Sequence, residues 1–273
     1  IYVTIGTITA SAVSSSNNTI EQHSGSYDME SKGGGLFVTG GANTFSDWVV
    51  DQNTIDMTTG GSSYGGGIYV EDDDSTFSQA LVTSNSADGY YNFGSGIGIY
   101  LRANPTFTNL VLADNEVTSD ANIGYGAMWV YHSNRVSITN ADIYANRGEA
   151  SSYSRAGGIY SEYQSDLFLV NVAIVENVAS YGGAISTDGT GSTKILYGSV
   201  YGNSSPEFFG VSAPDPGDGN ITEHPSYTST SGAAVDWDFT LIPGSYCIDA
   251  GDPSIFDVDG SVSDIGSQGG PGG

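Results

Sequence analysis

Cysteine and positive charge are almost missing from this 273-residue chain. Cys247 is the only cysteine, so a disulfide framework within the chain is excluded. Six Lys and Arg stand against 31 Asp and Glu, a formal charge of −25. So few cations cannot replace the counterions of a phosphate backbone, which argues against a nucleic-acid partner. No apolar run approaches the roughly 18 residues of a membrane helix, so no membrane-spanning segment is expected. Helical periodicity of useful length is missing too, as are a collagen period and mucin-like proline content.

What remains is the composition of a folded chain. Charge this lopsided often accompanies disorder, but 38% hydrophobic and 11% aromatic residues supply a core. Glycine, at 39 residues, is about twice its usual share and implies many tight turns. The chain opens at Ile1 without Met or a charged leader and reads as a trimmed form of something longer.

A Gly cluster followed by a short apolar run recurs six times, with anchors at Leu36, Ile68, Ile99, Trp129, Ile159 and Ile185. A second motif follows each anchor. It has apolar residues at its first, fourth and sixth positions and Asn at its ninth, as in Phe77/Ala80/Val82/Asn85 and Leu169/Val172/Ile174/Asn177. Each unit is two strands and turns, too short to bury an apolar face alone. Successive units must therefore stack into a solenoid, with strands about 4.8 Å apart. The asparagine column Asn53, Asn85, Asn115, Asn146, Asn177 and Asn203 is expected to form an amide ladder at a corner. Asn tolerates the left-handed conformation that a corner requires.

Residues 174–185, Ile-Val-Glu-Asn-Val-Ala-Ser-Tyr-Gly-Gly-Ala-Ile, resemble the F-x-x-N…G-G-A-I repeat of polymorphic outer-membrane proteins. More widely they resemble the right-handed parallel β-helix proteins that bacteria secrete. Residues 238–253 are similar to the closing segment of such domains, commonly S-P-C-I-D-A-G-D-P, with Tyr246 in place of the Pro. The resemblance implies an all-β, right-handed parallel β-helix of about seven coils. Residues 1–205 form the repeats, with a degenerate first coil, and residues 206–273 form an irregular cap packed on them. It also implies a secreted, extracellular or cell-surface setting.

The resemblance leaves three functions open: a structural or adhesive rod, a carbohydrate-binding module, and a polysaccharide lyase or hydrolase. Lyase chemistry on this fold needs calcium carboxylates beside an Arg or Lys base. Lys32, Arg102, Arg135, Arg147, Arg155 and Lys194 fall at scattered phases of the repeat. The paired Asp with Gly-His-Gly of the hydrolases is missing, and His23, His132 and His224 stand apart. Catalysis is therefore the weakest of the three.

One residue past the anchors lie Phe37, Tyr69, Tyr100, Val130 and Tyr160, expected as an exposed aromatic stripe. It is open to three readings: stacking on sugar rings, packing against another protomer, or ordinary ladder packing. Three residues past the anchors, Thr39, Glu71, Arg102, His132, Glu162 and Asp188 would bring Glu71 beside Arg102 and His132 beside Glu162. That file reads either as a surface ion-pair ladder or as a polar glycan cleft.

Asp249, Asp252, Asp257, Asp259 and Asp264 are a possible calcium site in the tail, with solvated acidic turns as the alternative. Asn17, Asn203 and Asn220 open glycosylation-type sequons. Cys247 is expected to be a buried small hydrophobe. The alternating, uncharged residues 1–10 would form an edge strand able to pair with another copy end to end, giving a filament.

Overall fold

The computed structural model describes residues 1–21, 29–57, 60–118 and 122–273; His23 lies outside them. Each lap of the chain passes through four short strands and returns one strand higher. The first sheet stacks Tyr2–Gly6, Leu36–Gly41, Ile68–Asp73, Ile97–Tyr100, Met128–Tyr131, Ile159–Glu162, Ile185–Thr187 and Phe208–Phe209. The second stacks the longer strands Thr9–Ser16, Thr44–Asp51, Thr76–Thr83, Thr106–Ala113, Val136–Tyr144, Leu167–Val175 and Thr193–Leu196. A third sheet runs from Thr19–Glu21 to Val178–Ala179, and a fourth from Glu30–Lys32 to Tyr153–Arg155. Every strand pair in these four sheets is parallel.

Among the described residues five laps have all four sides, because the fourth sheet has five strands. The sixth lap keeps only the bridge between Arg155 and Tyr181 on that side. The seven coils expected from the repeats thus narrow toward the end, where the chain between the anchors Ile159 and Ile185 is shorter than in the earlier repeats. Stacking also continues past 205: Phe208 pairs with Ile185, and Ser199 bridges Ile221.

Alternation fills the interior. Phe45, Phe77, Phe107, Ile138, Leu169 and Ile195 form one file, and Val50, Val82, Leu112, Ile143, Ile174 and Val200 another. All belong to one continuous buried cluster. Phe45, Phe77 and Phe107 stack with ring centroids 4.9 and 5.0 Å apart, the spacing the laps impose.

The asparagine file forms a continuous ladder. Each Nδ2 donates to the Oδ1 one lap on, from Asn53 to Asn85 (2.9 Å), Asn115 (3.0 Å), Asn146 (3.0 Å), Asn177 (2.9 Å) and Asn203 (2.9 Å). The same Oδ1 takes the backbone N–H of the preceding rung, as at Asn85 and Asn115, 3.1 Å apart. A second Nδ2 proton goes to the carbonyl of an earlier strand, such as Val82 from Asn115. Asn18, in the degenerate first coil, adds a rung on Asn53 at 2.7 Å. The left-handed residue at this corner is not the asparagine, however, but its predecessor: Gln52, Ser84, Asp114, Ala145 and Glu176 have φ of 51–56°. The turn is made one residue early, and the asparagine then points its amide inward to bind it.

The tail lies along the outer face of the second sheet. Phe239, Cys247 and Ile265 pack on Val111, Ala113, Tyr144, Ala173 and Val175, which would otherwise face water. Cys247 is buried there, and burial pushes its thiol up to about 12. A second polar file, Asn109, Asn140 and Asn171, sits at the left-handed bend within each strand and clasps the tail. Asn109 Nδ2 donates to Ser267 O (2.8 Å) and Gly269 O (2.7 Å), Asn140 Nδ2 to Gly269 O (2.9 Å), and Asn171 Oδ1 accepts from Asp252 N (2.7 Å). Asp142 is sealed beneath, accepting from the Tyr227 hydroxyl (2.5 Å) and Ser267 N (2.7 Å). Burial raises its carboxyl to about 6, against those donors.

Two outcomes are expected. Replacing Asn115 by Ala leaves the Asn85 N–H and Nδ2 without their acceptor and takes a donor from the Val82 carbonyl, and stability falls by about 3 kcal/mol in urea unfolding. A loss below about 0.5 kcal/mol would show that the corner does not need its ladder. Folding raises the Asp142 pKa, so its contribution is fully present below about pH 4 and is lost as pH rises through 6. That change is worth up to ~3 kcal/mol. Urea midpoints at pH 4.5 and 7.5 for wild type and Asp142→Asn check it, since the variant loses this part of the pH dependence.

Candidate functional site

The strongest candidate is the corner where the fourth sheet hands the chain to the first. Its turn is Gly-rich for a steric reason. Gly65 has φ +60°, and a Cβ there would meet the Ile68 carbonyl oxygen at 2.1 Å; one on Gly66 would meet Ser95 O at 2.2 Å. This tight turn folds the outer faces of the two sheets toward each other. Rings from one touch rings from the other: Phe93 with Trp129 (4.8 Å), Tyr125 with Tyr160 (4.7 Å), Tyr64 with Tyr69 (5.9 Å).

Along the axis the same rings form files. Tyr64 stacks on Phe93 at 4.6 Å and 6°, Tyr100 on Tyr131 at 5.1 Å, and Tyr131 on Tyr163 at 5.1 Å. Tyr69, Trp129 and Tyr160 form the buried floor, at 0–2% exposure. Tyr64, Phe93, Tyr100, Tyr125 and Tyr131 are half-buried along the walls, and Tyr163 is exposed.

This changes the expected stripe. Phe37, Tyr69 and Tyr160 do share a file, but Tyr69 and Tyr160 are buried, and the file continues through Gly98 and Trp129 rather than Tyr100 and Val130. In the fourth lap Ile97, not Ile99, stands on Ile68, and Met128, not Trp129, stands on Ile97. Ile97-Gly98-Ile99 offers two equivalent inward residues, and Ile99-Tyr100 imitates Ile68-Tyr69 in sequence. The register is decided by Gly98, where a Cβ would come within 2.9 Å of the Tyr69 ring.

The shift also reassigns the polar file, which runs Thr39, Glu71, Tyr100, Tyr131, Glu162. Arg102 meets Asp72 (3.4 Å) rather than Glu71, whereas His132 does lie beside Glu162, its backbone N–H donating to the Glu162 carbonyl (3.4 Å), while its ring sets an edge against Tyr163. Glu71 instead meets Lys32, whose Nζ is 3.5 Å from both Glu71 and Glu30 and 5.2–5.8 Å from the ring centres of Tyr64, Tyr69 and Tyr100.

Four laps along, Arg155 donates to the hydroxyls of Tyr153 (2.8 Å) and Tyr160 (2.6 Å). Glu162 accepts from Trp129 Nε1 (2.8 Å) and the Tyr160 hydroxyl (3.2 Å). Burial raises the Glu162 carboxyl against those donors, while burial pushes the Tyr64 phenol up to about 12. Between these polar ends, the Tyr69 hydroxyl is buried with no hydrogen-bond partner.

The other expected sites carry different burdens. Asp252 and Asp259 accept from the backbone and hydroxyl of Ser254 and Ser261, Asp264 from Asp249 N (2.8 Å), and Asp257 from Asp264 N (3.2 Å) and Gly270 N (2.5 Å). These carboxylates close turns. Among the described residues no group of three or more His, Cys, Asp or Glu is arranged to hold a metal ion. Asn203 ends the ladder, 8% exposed, with its amide nitrogen bound to Ile174 O, so it is not placed to accept a sugar. The Asn220 amide is likewise spent on Ile195 O and Asp215 O, whereas Asn17 is exposed.

The chain belongs to the right-handed β-helix family: the model for the right handed beta helix region matches residues 34–221. No curated protein and no solved structure matches it. No described helix is long and apolar enough to cross a membrane.

The unpaired phenol gives a direct check. Tyr69→Phe removes a buried hydroxyl that has no partner, so stability holds or rises by up to about 1 kcal/mol. Tyr160→Phe strips a hydrogen bond from both Arg155 and Glu162 and loses about 1–2 kcal/mol. Thermal unfolding of the pair in parallel reads the contrast, and equal losses would contradict it.

Proposed function

We propose that this protein is a non-catalytic adhesive rod, working outside the bacterial cell, that holds polysaccharide along its aromatic corner. The observation that carries this reading is the re-entrant corner itself. Half-buried rings line two walls, recur on successive laps and are fixed by parallel register. Because successive rings stack face to face, they turn their edges and hydroxyls outward, so a pyranose lays its C–H groups along those edges and its hydroxyls against the phenols, acids and bases beside them. Rings already locked in place lose little freedom on binding, which favours affinity.

The groups at the corner suit binding better than bond cleavage. Lys32 is held between two carboxylates, and both Glu162 oxygens accept hydrogen bonds from the aromatic floor. Calcium and attached sugars have no place in this reading, and neither does end-to-end pairing with other copies.

Tyr100→Ala and Tyr131→Ala each remove a half-buried wall ring while leaving the floor. Retention in polysaccharide-impregnated native gels is expected to weaken about tenfold or more, roughly 1.4 kcal/mol, measured well below the unfolding midpoint, which loss of packing on Trp129 lowers. Retention identical to wild type in both variants would refute the corner as the adhesive face.

A further inference from the structure

We infer that the ligand of this corner is an uncharged, linear polysaccharide lying parallel to the rod axis. The inference rests on the reading of the corner as a glycan site and specifies what that site takes.

Direction follows from the repeat. The ring files Tyr64–Phe93–Tyr125 and Tyr100–Tyr131 run along the axis, stepping one ring per lap at centroid spacings of 4.6–5.1 Å. A ligand that uses more than one of these rings must itself repeat along that line. A chain crossing the rod would meet the corner once, and a branched one would strike the walls.

Charge follows from the pairing. The cations of the corner already sit in the field of carboxylates: Lys32 lies between Glu30 and Glu71, and Arg155, hydrogen-bonded to the Tyr153 and Tyr160 phenols, lies within electrostatic reach of Glu162 and Asp188. The rest of the molecule carries a large surplus of carboxylate, so a polyuronate is repelled before it arrives. A neutral polymer pays no such penalty. It still finds hydrogen-bonding groups at both ends, because Lys32 and Arg155 occupy one outward file four laps apart, a span of about 19 Å.

The third observation lies between those ends. The Tyr69 hydroxyl is fully buried and unpaired within the corner, beneath the Lys32 ammonium. Displacement of the flexible Lys32 side chain by a ligand hydroxyl would give that phenol its missing partner.

The test is calorimetric titration of the full chain with soluble linear xylan, mannan and mixed-linkage glucan, with polygalacturonate, and with xylan and mannan oligomers of increasing length. The expected result is binding of at least one neutral chain, with polygalacturonate at least tenfold weaker at low salt. Affinity should climb with oligomer length until the chain reaches from Lys32 to Arg155, then level off. Lys32→Met and Arg155→Met should each shorten the length over which it climbs. Tighter binding of polygalacturonate, or affinity indifferent to oligomer length, would overturn this inference while leaving a glycan site in place. Failure of every polysaccharide, charged and neutral, would overturn the glycan reading itself.

Discussion

A buried asparagine at the corner after the second sheet can satisfy its amide only if another asparagine stands one lap away. Its oxygen takes two donors from the lap before, and its nitrogen gives one proton to the next rung and one to a carbonyl behind. A lap slipped by a single residue would break both links and leave several buried polar groups unpaired, each costing about 1–3 kcal/mol. The ladder therefore sets the phase of every other column. The phenylalanine stack inside the core, the files of rings at the corner and the clasp on the tail all inherit the same register.

The same constraint explains how a chain with so much negative charge stays compact. Interior positions are apolar or amide-bearing, so the acids are confined to the outside and to turns. There they are used locally, as when Asp252 and Asp259 bind the serine two residues on, or Asp264 binds the Asp249 N–H. Asp51 and Asp73 are buried, however, taking donors from Thr83 and Asn43, and Asp142 is buried completely. It occupies an outward position in the second sheet, level with Val111 and Ala173, and the tail closes over it. Docking the tail hides apolar surface over several laps and forces one carboxylate out of water with it, an expense that falls away when the group is protonated.

Much of this was legible because the repeat is strict where the physics is strict. The second motif keeps fixed spacing from its first apolar residue to its asparagine, and those files stack as the sequence implies. Legibility failed where the side chain that defines a column is missing: Gly98 erases the aromatic mark of the fourth lap and lets Ile99 pass for its neighbour Ile97. The tail clasp left a weak trace, since Asp47, Gln79, Asn109, Asn140 and Asn171 share one motif position, but nothing in a single chain says what an outward polar residue will meet. The corner was hidden for a different reason. Whether a Gly-rich turn bends outward or folds two faces together is decided by backbone geometry, so residues as far apart in sequence as Phe93 and Trp129 gave no sign of contact.

The rings at that corner are held rigidly by one another and still leave half-buried edges at the surface. The second sheet is covered by the tail, and the interior is filled. Between the fourth and first sheets, by contrast, the glycines remove side chains from the turn itself and leave rings on either side of it. The rings there need not reorganise to receive a repeating ligand, because each is already held by its neighbours one lap away; the Lys32 side chain is the part that moves. A solenoid turns local stacking into a long-range template, and the length of that template is set by how many laps keep an aromatic residue at the position before the turn. Here Tyr64, Phe93 and Tyr125 do so on successive laps, with Lys32 and Arg155 closing the file at its two ends.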